Sequence, residues 1–350
     1  MSRLATSDAV TGGWIVCASC HGELTSEPGE LRCARCPASY PVTGEGIPLL
    51  AVPTGDTGTA DVEGFWSALH AAIDAPAAAI VERGELADMM DDLERLFEHR
   101  QHLAVLEMPI RSLRGRRVLE IGSGAGAHSA LFNHRGAEVV ALDLTPDRVV
   151  TTARKLDQLE PTSLAVQGDA RRLPFSDGWF DIVYSNGVLH HSPDIDRSVS
   201  EVYRVLKPGG LAVVMLYARH SFLYKGVLFP VRGVLQGRAW RSRQWLGEAT
   251  EWMSDRRQTV SNPCTTVFSG REIRRLFHAF AQVRVRKNAF TFDQVPIVGK
   301  LAARLAGRWT GVNPAGTLLY GAPWRNETRL ELWAGRYVGW GMNIVATKES

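Results

Sequence analysis

The chain has 350 residues and a formal net charge of +3, with 45% hydrophobic and 22% charged residues. This composition is ordinary for a globular protein that buries a core, and so small a charge does not by itself argue for nucleic-acid binding. The first residues lack the apolar stretch of a signal peptide, and no run reaches membrane-spanning length, so we expect a cytoplasmic location.

Two C-x-x-C pairs lie near the start of the chain, Cys17 with Cys20 and Cys33 with Cys36. Each pair directs two thiolates towards one point, and four thiolates complete the tetrahedral shell of Zn²⁺ without leaving a position for water. The sequence therefore predicts a structural zinc site within residues 14–50. A redox dithiol or a pair of disulfides stays open, although the paired spacing and the cytoplasmic expectation disfavour both.

The next segment is rich in Gly, Thr, Pro and Asp, and its lack of apolar periodicity predicts a linker over residues 51–64. From residue 65 to residue 113 the pattern becomes helical, although Pro76 and Gly84 interrupt it. Apolar residues recur there at three- and four-residue steps, namely Leu86, Met89, Met90, Leu93, Leu96 and Phe97. Such a stripe is more often core than a site, and no site residue is assigned to it.

A glycine-rich turn joins the first two strands of the following region. The predicted strand from Arg117 to Ile121 runs into Gly122, Gly124 and Gly126, and a second strand is predicted from Val139 to Leu142. Glycines let the backbone turn sharply at the end of the strand and let a ligand approach without meeting a Cβ. This β-loop-α-β unit is typical of a nucleoside site.

Two acids flank that turn. Asp143 ends the second strand, about twenty residues after the glycines, where an acid can accept hydrogen bonds from both ribose hydroxyls. Glu120 stands two residues before Gly122, where it would repel a pyrophosphate but suit a ligand that carries an ammonium and a sulfonium. S-adenosylmethionine carries both groups.

Strands and helices alternate through the rest of the chain, which predicts a mostly parallel sheet with helices on both faces. Further strands are predicted over residues 163–167, 180–184, 211–217, 282–286 and 342–347. Ligands bind such sheets at the carboxyl ends of the strands, where the remaining motifs converge. Two insertions are predicted, over residues 218–262 and 291–337. The first has eight basic against three acidic residues and several aromatic ones.

With these motifs in order, the chain resembles a class I S-adenosylmethionine-dependent methyltransferase of the type 11 group, which includes quinone-biosynthesis enzymes. The matching stretches after the glycine turn are Gly168-Asp169-Ala170, Leu173-Pro174-Phe175, Phe180-Asp181-Ile182-Val183, Leu189-His190-His191 and Leu206-Lys207-Pro208-Gly209-Gly210. The resemblance implies a Rossmann-like α/β domain over residues 65–350, with a mostly parallel seven-stranded sheet. The cysteine region is similar to small zinc ribbons fused to bacterial methyltransferases, and a packing role is favoured over substrate contact.

The resemblance also implies a role for each site residue. It places Glu120, Gly122, Gly124 and Gly126 along the methionine half of S-adenosylmethionine, Asp143 at the ribose, Leu144 against the adenine face, Asp169 at the adenine amino group, Ala170 over the ring and Asn186 beside the transferred methyl. For Asp169, a turn-forming role through its own backbone is the alternative.

His190 and His191 are titratable groups at the reacting end. A hydroxyl acceptor gains from a base whose pKa lies near neutrality, so either histidine is a candidate catalytic base. Consecutive residues at the start of a helix point in different directions, so only one is expected to face the cofactor. Shape or hydrogen bonding is the other role considered for the pair, and positioning alone can supply much of the rate.

The expected function is methyl transfer to a small or amphiphilic acceptor, with oxygen favoured as the methylated atom. The insertion 218–262 is interpreted as a lid that encloses an apolar or glycosidic substrate, rests on an anionic membrane, or stacks bases and pairs phosphates. An RNA methyltransferase is the leading alternative, although an Asn-Pro-Pro-Tyr motif is missing after the fourth strand. A non-catalytic scaffold whose ribbon recruits a partner is the second. The sequence leaves the acceptor and the oligomeric state open.

Overall fold

The computed structural model describes residues 6–52, 57–71, 75–159, 162–254 and 259–350. These residues form a small cysteine-bearing unit, a helical segment, and a seven-stranded sheet with its helices and two insertions. No helix among them is both long and apolar enough to cross a membrane.

The N-terminal unit begins with helix α1 and continues as a three-stranded antiparallel sheet in the order β1-β2-β3. Its elements are α1 (Thr6–Thr11), β1 (Leu24–Glu27), β2 (Glu30–Cys33) and β3 (Ser39–Pro41). The unit packs on the larger domain through Trp14, whose ring stacks on Phe175 and Trp179. Beyond β3, the Leu50 backbone N–H donates to the Gln167 carbonyl at 2.9 Å. The unit therefore covers part of the larger domain.

A helical segment precedes the large sheet, as the apolar periodicity predicts. It contains α2 (Thr57–Ala71), α3 (Ala75–Glu82), α4 (Met90–His99) and α5 (Leu103–Leu106). Leu93, Leu96 and Phe97 are completely buried. The predicted linker is wrong in part, because residues 57–64 form the first turns of α2, while residues 53–56 lie outside the described residues. The small and polar residues at the start of α2 resemble a linker in composition, but Phe65 of this helix is buried in the core.

The large sheet has the strand order β9-β10-β8-β7-β4-β5-β6. Its strands are β4 (Arg117–Ile121), β5 (Glu138–Asp143), β6 (Leu164–Gln167), β7 (Phe180–Asn186), β8 (Leu206–Tyr217), β9 (Gln282–Asn288) and β10 (Gly341–Thr347). Strands β4 to β8 are mutually parallel, and β10 runs antiparallel to both β8 and β9. The mostly parallel seven-stranded prediction is confirmed.

Helices α6 (Ala127–His134), α7 (Pro146–Leu156) and α8 (Ile195–Val205) connect the parallel strands. Strand β8 begins at Leu206, before the predicted residue 211, because Lys207 to Gly210 are extended and belong to the strand. The other strand ends agree with the predictions to within two residues, and β4 agrees at both ends. All parallel strands end at one edge, which carries the glycine turn, Asp143, Asp169 and Asn186. The stretch from Leu206 to Gly210 lies at the opposite edge, because it begins β8.

Both insertions fold into short helices. Residues 223–235 form a π-helix, followed by α9 (Arg238–Arg241) and α10 (Trp245–Thr250) and by an antiparallel strand pair, Trp252–Ser254 with Thr259–Ser261. After α11 (Gly270–Leu276) and β9, the second insertion contains α12 (Gly299–Thr310), α13 (Thr317–Tyr320) and α14 (Arg329–Val338). The charges of the first insertion at residues 255–257 lie outside the described residues.

Candidate active site

A cavity of about 340 Å³ lies at the carboxyl ends of the parallel strands. Four loops form its floor, one after each of β4, β5, β6 and β7, as the switch-point rule for open parallel sheets requires. The predicted site residues that line it are Gly122, Gly124, Asp143, Leu144, Asp169, Ala170, Asn186 and His191. The fold thus brings together residues that are up to 69 positions apart in the sequence, from Gly122 to His191.

The three glycines of the first loop have different structural roles, although all three have a positive φ. A Cβ on Gly122 would lie 2.2 Å from Val188 Cγ2, and one on Gly126 would lie 2.8 Å from Thr152 Oγ1. A Cβ on Gly124 would meet no protein atom within 4 Å, and Gly124 lines the cavity. Gly122 and Gly126 are therefore needed for packing inside the protein, whereas Gly124 leaves room for a ligand.

Donors from the loops after β4 and β5 hold the Asp143 carboxylate in place. Its Oδ2 accepts from the Gly124 backbone N–H at 2.8 Å, and its Oδ1 accepts from the backbone N–H and the hydroxyl of Thr145 at 3.0 and 2.8 Å. Burial raises the pKa of Asp143, and these three donors oppose that change. A carboxylate can accept about four hydrogen bonds, so acceptor capacity remains for a ligand hydroxyl.

Asp169 lines the cavity, but Arg171 occupies much of its carboxylate. The Arg171 backbone N–H donates to Oδ1 at 2.8 Å, and the guanidinium Nη2 lies 2.7 Å from Oδ2. The backbone contact forms an Asx turn, which is the alternative role considered for Asp169 in the sequence analysis. The adenine role of Asp169 therefore stays a prediction.

Glu120 does not line the cavity, in contrast to its neighbours in the glycine loop. It is 1% exposed, accepts a hydrogen bond from the Ser129 hydroxyl, and has Oε1 3.4 Å from His128 Nδ1. Because a buried carboxylate needs donors, Glu120 turns towards the start of α6, and His128 faces the cavity in its place. The role of Glu120 at the methionine half of the cofactor stays a prediction.

The two histidines differ in their placement. His191 lines the cavity and lies against Trp66, with 5.3 Å between ring centroids, whereas His190 is completely buried and does not line it. Burial lowers the pKa of His191, and the Glu251 carboxylate opposes that change. His191 is therefore the candidate base, and the expectation that only one of the pair faces the cavity agrees with this geometry.

The upper wall of the cavity comes from residues that no sequence motif marks. They are Val62 and Trp66 of α2, Phe97, His102, His128, and Leu318 to Tyr320 of α13. Phe97 lies in the apolar stripe to which no site residue was assigned, and α13 belongs to the second insertion. No described residue of 218–262 lines the cavity, so the covering role expected for that insertion falls to α13 instead.

The four N-terminal cysteines form a compact cluster, with their sulfur atoms within 4.8 Å of one another. Cys17 Sγ lies 3.6 Å from Cys36 Sγ, and Cys20 Sγ lies 3.6 Å from Cys33 Sγ. Bonds of about 2.3 Å to a tetrahedral Zn²⁺ place neighbouring sulfurs roughly 3.8 Å apart, so the cluster fits this ion. A hydrogen bond from the Gly22 backbone N–H lowers the pKa of the Cys20 thiol to about 6, which favours a thiolate. No described residue of the unit lines the cavity.

Residues 119–214 match the family described as methyltransferase domain. Phosphatidylethanolamine N-methyltransferase of Cereibacter sphaeroides is 36% identical over 124 residues, which are 35% of this chain and 59% of that protein. Demethylmenaquinone methyltransferase of Beutenbergia cavernae is 34% identical over 141 residues, 37% of this chain and 57% of that protein. The chain thus spans under three fifths of each of these two relatives.

Among solved structures, Haemonchus contortus phosphoethanolamine N-methyltransferase 2 in complex with S-adenosyl-L-methionine is similar in fold. Its TM-score is 0.44 at 18% identity, over 75% of this chain and 57% of that one.

The parallel sheet, the cavity at its carboxyl edge and the matched stretch define a Rossmann-like α/β domain of the methyltransferase type. Residues 119–214 are thus similar to class I S-adenosylmethionine-dependent methyltransferases.

Proposed function

We propose that this protein transfers a methyl group from S-adenosylmethionine to an amphiphilic acceptor at oxygen. The observation that carries the proposal is the cavity itself, because the loops after β4, β5, β6 and β7 meet there around Asp143 and Gly124. When bound, S-adenosylmethionine would supply an electrophilic methyl group on a sulfonium.

The residues present fit this cofactor. Gly124 leaves space above the loop where any side chain would intrude. Asp143 keeps acceptor capacity for the ribose hydroxyls, while Leu144 and Ala170 offer apolar contact for the adenine ring, and Asn186 lies on the opposite side of the floor after β7. Lys155, whose burial lowers its pKa to about 8, donates to the Ala125 carbonyl and thereby holds the glycine loop in shape.

The proposed role of His191 is to accept the proton of an acceptor hydroxyl. Burial keeps its imidazole neutral at physiological pH, and a neutral ring can take a proton. Trp66 and Leu318 line the cavity with it and would exclude water from the reacting atoms. A base beside an apolar wall favours a methyl acceptor that carries its hydroxyl on an apolar molecule.

We also propose that the four-cysteine cluster holds a structural Zn²⁺. Four thiolates leave no open position, so such a site stabilises the fold and does not take part in the reaction. The unit lies away from the cavity lining and packs on the edge of the sheet, which supports a packing role.

The test of the proposal is a transfer assay with methyl-labelled S-adenosylmethionine and extracts separated into phospholipids, quinols and RNA. We expect label in the organic-soluble phenol or quinol fraction, together with equimolar S-adenosylhomocysteine. Label that appears only in RNA would replace the proposed acceptor with the RNA alternative. Label confined to phospholipid amines would contradict oxygen methylation, and no transfer with no cofactor binding would contradict the activity.

Helix α12 supports an acceptor that comes from a lipid surface. Leu301, Leu305 and Trp309 follow one another at four-residue steps and are 59%, 42% and 88% exposed. The helix sequence GKLAARLAGRWT also contains three basic residues and no acid. An apolar ridge flanked by cations is complementary to an anionic bilayer. One of the relatives is named for a phospholipid substrate.

We therefore expect co-sedimentation with phosphatidylglycerol vesicles, weakened at least tenfold in the double variant Leu301→Gln, Trp309→Gln. Burial of each of these side chains in lipid is worth about 1.5 kcal/mol or more, and 1.4 kcal/mol is a factor of ten. Leu106→Gln is the matched control, since Leu106 is 54% exposed on α5. Equal binding by the double variant and this control would exclude α12 as the contact.

A further inference from the structure

A second cluster of metal-binding side chains lies directly behind the cavity wall. His190, His191 and Glu251 each offer one ligand atom, and the three atoms lie within 4.8 Å of one another. His190 is 0% exposed, His191 is 4% exposed, and the Glu251 side chain is 11% exposed. The three residues come from the loop after β7 and from the insertion, so the fold of the insertion creates this cluster.

Several ring nitrogens of the two histidines have no hydrogen-bonding partner. The Cys264 carbonyl lies 2.9 Å from His191 Nδ1 and favours a proton there, whereas the Asn262 amide nitrogen at the same distance favours a lone pair there. The proposed ion requires the first arrangement, which leaves a lone pair on Nε2. That Nε2 lies 3.4 Å from Glu251 Oε1 and has no hydrogen-bonding partner. Neither ring nitrogen of His190 has a partner in good geometry. Buried polar atoms of this kind are rare in proteins and require an explanation.

Neighbouring side chains hold the Glu251 carboxylate in place by hydrogen bonds, as is common for metal ligands. The Tyr217 hydroxyl donates to Glu251 Oε1 at 2.8 Å, and the Asn262 amide donates to Oε2 at 2.8 Å. Carbonyls that fix a ligating imidazole and donors that fix a ligating carboxylate are common around metal ions.

We propose that His190, His191 and Glu251 bind one divalent transition-metal ion, of the class that Zn²⁺ and Fe²⁺ represent. A cation would partner His191 Nε2 and one of the two unpartnered His190 nitrogens, and it accounts for the imidazole and carboxylate that face each other. Ligand bonds of about 2.1 Å to a tetrahedral ion place the ligand atoms roughly 3.4 Å apart, which matches the distance from His191 Nε2 to Glu251 Oε1. Two imidazoles and one carboxylate suit these ions better than Mg²⁺ or Ca²⁺.

Three protein ligands leave at least one coordination position for water or another oxygen. Because His191 also lines the cavity, an acceptor hydroxyl at that wall could bind the ion and release its proton to water, and a metal-bound His191 would then be a ligand in place of the base. This use of the ion rests on the proposed function, whereas the binding of the ion does not.

The test uses the full-length protein with zinc in its cysteine cluster, titrated with Co²⁺ as the probe. We expect one Co²⁺ per chain, with visible d–d absorption and without the intense charge-transfer bands of thiolate ligands. Glu251→Gln and His190→Gln should each weaken this binding at least tenfold, the size of loss that even outer partners of metal ligands cause. Glu248→Gln, three residues before Glu251, is the matched control and should bind as the wild type does.

A wild-type protein that binds no Co²⁺ beyond its cysteine cluster would overturn the proposal, whether or not the variants fold. So would equal Co²⁺ affinity in Glu251→Gln and Glu248→Gln. Near-ultraviolet circular dichroism and retained zinc show that each variant is folded. Calorimetry with S-adenosylmethionine is run on the same samples, so that failure of the metal site is distinguished from failure of the proposed cofactor binding.

Discussion

Asp143→Ala is expected to weaken S-adenosylmethionine binding by roughly 100-fold or more. A hydrogen bond to a charged carboxylate contributes about 1.5–3 kcal/mol, and two ribose hydroxyls can each make one. The same carboxylate anchors the Gly124 and Thr145 backbone N–H groups, so its loss also loosens the loop that faces the ligand. Isothermal titration calorimetry measures the change directly, with the wild type as reference.

Two further variants separate the lost contact from a disturbed loop. Asp143→Asn keeps the shape and one acceptor oxygen but removes the charge, and we expect a smaller loss than in Asp143→Ala. Asp147→Ala removes an exposed acid at the start of α7 and is the control for the change in net charge. Unchanged affinity in Asp143→Ala would show that the cofactor does not use this acid, and the proposed site would have to be given up.

The floor of the cavity could be predicted because its signals are local. Gly124 and Asp143 follow adjacent parallel strands, and the carboxyl ends of such strands meet at one edge whatever the rest of the chain does. The same logic placed Asp169 after β6, Asn186 at the end of β7 and His191 shortly after it. Parallel strand pairing thus brings residues that follow different strands close together in space.

Residues that depend on long-range packing could not be predicted in this way. Leu318 closes the cavity only because α13 folds over the sheet, and Glu251 approaches His191 across sixty residues of chain. Glu120 turned inward because Ser129 and His128 at the start of α6 offer it partners, a choice that no spacing rule encodes. Side-chain direction in a buried site is set by the donors that surround it.

Removal of zinc from the cysteine cluster is expected to lower the melting temperature by about 10 °C or more. A structural Zn²⁺ site contributes about 10 kcal/mol or more to the folding of isolated zinc domains. Each kcal/mol shifts the melting temperature of a domain of 150–250 residues by about 2–4 °C, and by less in this chain of 350 residues, so that about 1 °C per kcal/mol gives the expected change. Without the ion, the bonds that hold the four sulfur atoms together would be lost, and the N-terminal unit would open. Its separation would expose Phe175 and Trp179 and would break the bond between Leu50 and the β6 residue Gln167.

The measurement is differential scanning calorimetry of Cys17→Ser and Cys36→Ser beside elemental analysis, with Cys264→Ser as the matched control outside the cluster. The wild type and the control should each retain zinc in the cluster, whereas both cluster variants should lose it and melt earlier. Because no described residue of the unit lines the cavity, the variants should still bind S-adenosylmethionine well below their melting temperature. A zinc-free wild type that melts at the same temperature would contradict the structural role, since the fold would then hold the four thiols together without the ion.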